Sequence, residues 1–211
     1  MKSCKWALAL LIGALCSCIQ SGCAGGASGW PEAGYPPEAP RQPERLRLLD
    51  PNITDPLQWW RVNIYNQLPS DTYSCDTQAL CAGEVVAATN TVRASYGLPP
   101  VQPLPLLHRV AQAHAFDQGT RDYWSHHTPE GLTSWQRVQA VSELAVLSGG
   151  ENSTIANPGS HTPSQVVQGW LRHPGHRELL LNPKVRYIGV GVYCHSSGEW
   201  MYYVQLMMQV E

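Results

Sequence analysis

The stretch Ser164 to Pro183, SQVVQGWLRHPGHRELLLNP, decides how the rest of the chain is read. Val166 and Val167 recur four residues later as Trp170 and Leu171, which puts all four on one helical face. Pro174 disfavours a helical conformation at the residue before it, so the helix is expected to end at Arg172 or His173. Gly175 permits the turn that follows, and His176 is expected to open a second short turn that carries Leu179, Leu180 and Leu181 into a core. A histidine held on a Pro-Gly elbow between two buried segments is placed as a site residue would be.

Working outward, the residues after Pro183 change period. Ile188, Val190, Val192 and Cys194 alternate with Tyr187, Gly189, Gly191 and Tyr193, and Trp200 to Val210 alternates again after a turn at His195 to Glu199, so an antiparallel hairpin is expected. Upstream, Val85, Ala88, Val92 and Tyr96 predict a helix over 83–96, stopped by Gly97 and Pro99-Pro100. A second helix is expected over about 104–122, with Leu107, Val110, Ala111, His114 and Ala115 on one stripe. His114 on that apolar face reads as a hydrogen-bonded core histidine in preference to a ligand. A third helix is predicted over 133–144, with Thr133 or Ser134 as its cap.

The first eighty residues have a different character. Lys2 and Lys5 precede the apolar run Trp6 to Leu15, which is too short to span a bilayer and suits the core of a signal peptide, so the protein is expected to be exported. Leu15-Cys16-Ser17-Cys18 and Ser21-Gly22-Cys23 are similar to bacterial lipoprotein cleavage sites. A signal over 1–17 with acylated Cys18 is therefore expected, or one over 1–22 if Cys23 is the acylated residue, and an ordinary cleaved signal is the alternative. The protein would then be a membrane-anchored lipoprotein of the bacterial cell envelope, or secreted. Residues 18–56 are rich in Pro and Gly and read as a linker, which in extended form at ~3.1 Å per residue could reach on the order of 80 to 100 Å. Residues 57–82, with Trp59, Trp60, Ile64, Tyr65 and Leu68, read as an N-terminal arm packed on a domain over 83–211.

The chain has 211 residues, a net charge of −2 and no basic run, a composition that sets nucleic acid aside as a partner. Of its seven cysteines, Cys75 and Cys81 form the simplest disulfide in an oxidising compartment, leaving Cys194 free or bonded to Cys23.

Several short motifs now fall in order: Asn90 and Arg93, then Gly97-Leu98-Pro99-Pro100, then Ser125-His126-His127-Thr128-Pro129-Glu130-Gly131, then Gly150-Glu151-Asn152, then Trp170 with Gly175-His176-Arg177, then Tyr187-Ile188-Gly189-Val190-Gly191. Over about 83–208 the chain closely resembles the CAP superfamily, also called SCP-like domains, in its bacterial form. The resemblance implies an α+β fold, a three-layer α-β-α sandwich with a small antiparallel sheet, and a third strand near 152–156. It also implies a cleft holding His126, Glu151 and His176, where several members of the family bind a divalent metal. The second acidic residue of many eukaryotic members has no counterpart, because 152–175 contains neither Asp nor Glu. His173 stands three residues before His176 and could substitute in part.

Two neutral imidazoles and a carboxylate suit a zinc-like ion, with water completing the shell. Against this stands the reading in which Glu151 bonds backbone amides and the histidines tie the surrounding loops. The expected function is a binding or interaction module of the cell envelope, with a lipid, glycan or protein partner. The alternatives are a metal-assisted hydrolase with Glu151 as general base, and a serine hydrolase using Ser125 or Ser153, neither of which sits in a nucleophile elbow.

Overall fold

The structure, a computed structural model, describes residues 49–68 and 76–211, the side chains of 76–81 excepted. The expected signal peptide, Cys18, Cys23, most of the linker, Cys75 and the Cys81 side chain lie outside the described residues.

In chain order the elements are α1 (Pro56–Asn63), a 3-10 turn (Tyr65–Gln67), α2 (Asp76–Ser95), β1 (Gln102–Pro103), α3 (Pro105–Thr120), α4 (Ser134–Gln139), β2 (Val146–Ala156), α5 (Pro163–Arg172), α6 (Pro174–Leu180), β3 (Tyr187–Cys194) and β4 (Met201–Val210). The strands form one sheet in the order β1-β3-β4-β2. β4 pairs antiparallel with β3 and β2, and β1 adds a two-residue parallel pairing to β3, so the sheet is mixed.

The period-two pattern of β4 divides the interior. Tyr202, Val204, Leu206 and Met208 face a core shared with α1, α3 and α4, in which Trp60, Ile64 and Leu68 are also buried. Met201, Tyr203 and Met207 face a second core with Val85 and Val92 of α2, Val166, Val167 and Trp170 of α5, and Leu180 of α6. Helices thus cover both faces, which is the three-layer α+β arrangement. No helix among the described residues is long and apolar enough to cross a membrane.

α3 lies directly on β3 because β3 carries glycines where the helix crosses it. A Cβ on Gly189 would come within 2.1 Å of the Leu107 backbone, and one on Gly191 within 2.3 Å of the Ala111 backbone. The edge of β3 left uncovered by the short β1 is paired by α3 side chains. Gln112 donates through Nε2 to the Val192 carbonyl and accepts the Val192 N–H at Oε1, both at 2.9 Å, while His108 Nδ1 accepts the Val190 N–H at 3.0 Å. An exposed strand edge is thereby closed without a further strand.

Some boundaries differ from the sequence reading. α2 begins seven residues earlier than expected and ends at Ser95, so Tyr96 is 46% exposed instead of buried. α4 stops at Gln139, well short of Leu144, because the Ala140 N–H closes on the Gln136 and Val138 carbonyls and the chain must then turn into β2. Thr133 caps α4 in a reciprocal capping box with Gln136. α5 ends at Arg172 with His173 as its C-cap, and Pro174 starts α6. In α6 only Leu180 is fully buried; Leu179 and Leu181 pack at the margin of the core.

Candidate functional site

Glu151 lies in β2, opposite Leu206 of β4. Sharing the face of Leu206, it turns toward α3 and is buried, with its side chain 2% exposed. A carboxylate so buried needs a charged partner. Arg137 of α4, with a fully buried side chain, supplies it through a short Nη2 to Oε2 ion pair. Arg137 Nη1 also donates to the His126 and Leu132 carbonyls, each at 3.0 Å, so one guanidinium fixes both the acid and the loop that carries His126.

That loop is tied at its far end as well. Arg121 bridges Asp117 of α3 and Glu130, with Nη1 donating to Glu130 Oε1 at 2.5 Å and Nη2 to Asp117 Oδ2 at 2.7 Å. Tyr123 donates its hydroxyl to Asp117 Oδ2, also at 2.7 Å. Burial pushes the Asp117 carboxyl above its usual value, whereas Arg121 holds Glu130 below its own despite burial.

His126 Nδ1 lies 2.9 Å from Glu151 Oε1. A carboxylate can only accept, so Nδ1 carries the hydrogen and Nε2 is left as a lone-pair donor on a side chain that is 52% exposed. His176, three residues into α6, completes the group: its ring centroid is 6.3 Å from that of His126 and 5.8 Å from that of His173. Burial, followed by the neighbouring His126 and His173, pushes the His176 pKa below its ordinary value. His176 Nδ1 is buried and meets no hydrogen-bonding partner among the described residues.

The structure therefore sets His126 against both Glu151 and His176, with His173 beside His176. His114 is a core histidine, fully buried, with Nε2 3.0 Å from the Ser125 carbonyl, yet it also stands 3.8 Å from Glu151 Oε1. Burial and then Arg137 push its pKa down to about 3, so it is neutral. Glu151 is shifted in the same direction for a different reason. Burial works to raise its pKa, but the Arg137 guanidinium, with the imidazoles of His114 and His126 beside it, holds it below the ordinary carboxylate value.

His176 Nδ1, without a hydrogen-bonding partner among the described residues, and His126 Nε2 are the imidazole nitrogens these two neighbouring rings have left to offer a ligand. Glu151 fits a metal less well, because both of its oxygens are already engaged. No group of three or more His, Cys, Asp or Glu arranged to hold a metal occurs among the described residues. Of the serines, Ser125 Oγ accepts the His127 N–H at 3.1 Å and Ser153 Oγ accepts the Trp124 indole at 3.2 Å, so each recorded partner is a neutral nitrogen donor and not an imidazole.

Arg137 was not legible as a site residue. An arginine in a short, mostly polar helix reads as a solvated charge, and no local signal marks it as the partner of an acid fourteen residues away. Arg93 and Asn90 prove to be structural. Arg93 is buried and donates to the Pro99, Leu180 and Asn182 carbonyls, and Asn90 pairs with both the N–H and the carbonyl of Val101. Asn152 donates to Gln205, which donates to Thr89 of α2, linking the sheet to the second core.

Comparison with known proteins agrees with this architecture. The chain is 34% identical over 117 residues to the uncharacterized protein YkwD of Bacillus subtilis, a match covering 56% of this chain and 44% of that protein. The chain thus spans less than half the length of the curated relatives it matches. The crystal structure of an extracellular protein containing an SCP domain from Bacillus anthracis superposes with a TM-score of 0.54 at 29% identity, over 63% of this chain and 41% of that one. An outer surface protein from Borrelia burgdorferi shares the fold with a TM-score of 0.52 at 21% identity, over 61% of this chain and 92% of that one. The family model for the cysteine-rich secretory proteins matches residues 86–207, more than half of the chain, and these residues hold His126, Glu151 and His176; the chain belongs to the CAP family.

Proposed function

We propose that the protein is an exported binding module of the bacterial cell envelope whose ligand site is the cleft around His126, Glu151 and His176. The observation that carries this reading is the state of Glu151. A general base needs a free lone pair and a pKa near the working pH, whereas Glu151 is buried, ion-paired to Arg137, bonded to His126 and held below the ordinary carboxylate value. Such a carboxylate serves to fix its neighbours. The engagement of its oxygens argues against the metal-assisted hydrolase that the residue types alone would allow. The extracellular SCP-domain relative and the outer surface protein of the same fold support an exported setting.

A divalent ion such as zinc would be held by His126 Nε2 and His176 Nδ1, with His173 alongside. Bound there, the ion would cross-link α6 to the loop that carries His126. Two protein ligands are fewer than the three or four of established zinc sites, so affinity would be modest. In a zinc titration, His126→Ala and His176→Ala should each abolish uptake while leaving the thermal transition in place.

The functional reading is tested by incubating the purified chain with insoluble bacterial cell-wall fragments. A binding module sediments with the fragments, and neither the parent nor Glu151→Gln releases soluble sugar or peptide. Release of soluble fragments that falls about 100-fold in Glu151→Gln, the scale of general-base removal, would establish a hydrolase instead.

A further inference from the structure

Beside Glu151 and His126 the surface opens into a recess of about 560 Å³, lined on its far side by α4. α4 buries Ser134, Arg137 and Val138, which leaves Trp135, Gln136 and Gln139 outward. Trp135 and Gln139 are four residues apart and so adjacent on the helix surface. Trp135 is 37% exposed, a large aromatic left open to solvent. The indole lines the recess together with Gln136, Gln139, His126, His127 and Glu151.

The chemistry of these walls narrows the ligand. The Glu151 carboxylate is already neutralised by Arg137, so the described walls offer no uncompensated acid to select a cationic ligand. An extended lipid chain would need apolar walls throughout, whereas here the apolar surface is interrupted by the amides of Gln136 and Gln139 and the imidazoles of His126 and His127. What remains is a flat aromatic surface beside polar groups of both kinds. Gln136 Oε1 is held by the Thr133 N–H at 2.9 Å, which leaves its –NH2 to donate. Gln139 can donate and accept, and His126 Nε2 accepts. A neutral ring with one apolar face and hydroxyls around its rim satisfies such a surface, since an aromatic side chain contributes broad apolar contact while a few placed polar groups fix orientation.

We infer that this recess is a saccharide subsite, in which Trp135 stacks against the apolar face of a sugar ring and Gln136, Gln139 and His126 bond its hydroxyls. The inference rests on the reading of the cleft as a ligand site and names the class of ligand that site takes.

The test titrates the full chain with chitotetraose and maltotetraose, by calorimetry and by saturation-transfer NMR. At least one of them should bind in the millimolar range or tighter, and Trp135→Ala should weaken it about tenfold or more. Trp135→Phe should retain most of the affinity, and Gln139→Ala should lose part of it. Leu147→Ala, which removes another exposed apolar side chain, should change nothing. Trp135 is exposed, so its loss should not unfold the domain. The inference is overturned if neither sugar binds up to about 10 mM, a very weak limit, or if Trp135→Ala binds as the parent does. Sedimentation with cell-wall fragments separates the two readings. Fragments retained but not displaced by either sugar would refute the saccharide alone, whereas fragments hydrolysed through Glu151 would refute the binding module itself.

Discussion

Two buried polar interfaces in this domain are built on opposite principles. At the seam between α3 and β3, Gln112 and His108 meet the strand backbone with neutral hydrogen bonds, and the Gln112 amide pairs with both groups of Val192. In the cleft, a buried acid pairs with a buried arginine beside the imidazoles of His114 and His126, and Nδ1 of the neighbouring His176 is left without a partner among the described residues. The seam closes a strand edge and has nothing left to offer a ligand. The cleft retains unused donors and acceptors at its surface, which is where binding is to be sought. The difference teaches that burial of polar groups alone does not mark a site, and that what matters is which of their valences remain after the fold is made.

The largest effect should come from breaking the charge pair. Arg137→Ala leaves Glu151 as a buried anion and removes two donors to loop carbonyls, so a loss of about 3 to 5 kcal/mol is expected in chemical denaturation. The double variant Arg137→Met with Glu151→Leu should recover much of that stability, because an apolar pair of similar volume needs no compensation. If the double variant remained as unstable as the single one, the pair would be a structural tie like those of the seam and the contrast between the two regions would fail.

A smaller effect is expected at the seam. Gln112→Ala removes both of its hydrogen bonds to the Val192 backbone, at a cost of about 1 to 3 kcal/mol. It should leave zinc and saccharide titrations unaltered, since Gln112 lies outside the cleft. A Gln112 variant that lost ligand binding in its folded state would join the two regions into one coupled unit.

The contrast also explains what the sequence could reveal. Strand β3 was legible because Tyr187 to Cys194 alternates strictly, and α5 because its apolar pairs recur at four-residue spacing before a proline. His176 stood out on its Pro-Gly elbow, whereas His126, Glu151 and the grouping of all three came from a resemblance between motifs, since nothing in their local spacing says that a strand, a loop and a helix start will meet. Arg137 and Trp135 escaped both routes. Each lies in a short helix whose composition resembles a solvated surface, and only the tertiary arrangement shows that one is fully buried and the other flanks a recess. The seam glycines were visible as gaps in an alternating strand, but their cause, the backbone of α3 lying against them, is a contact between distant segments.

The smallest and most specific effect concerns pH. His114 is buried and neutral, with its pKa at about 3 against an ordinary value of 6.5. A histidine whose folded pKa is depressed contributes stability that is present in full above its unfolded pKa and is lost as pH falls toward its folded value, because the unfolded chain takes up the proton first. Between pH 6.5 and 5.5 this loss should approach about 1 kcal/mol, within the limit of ~1.4 kcal/mol per unit of pH for one proton. His176, also depressed by burial, acts in the same direction. Glu151 does not contribute in this window, since its unfolded value of 4.5 lies below it and its folded value is lower still. Asp117, pushed up by burial, works in the opposite sense, so the decisive quantity is the difference between the parent and His114→Gln. The variant should unfold more easily at pH 7 yet show a shallower fall in stability from pH 6.5 to 5.5, while Gln112→Ala keeps the parent slope. Equal slopes for the parent and His114→Gln would mean that this imidazole titrates normally, and that the cleft interior is no more closed to protons than the surface around it.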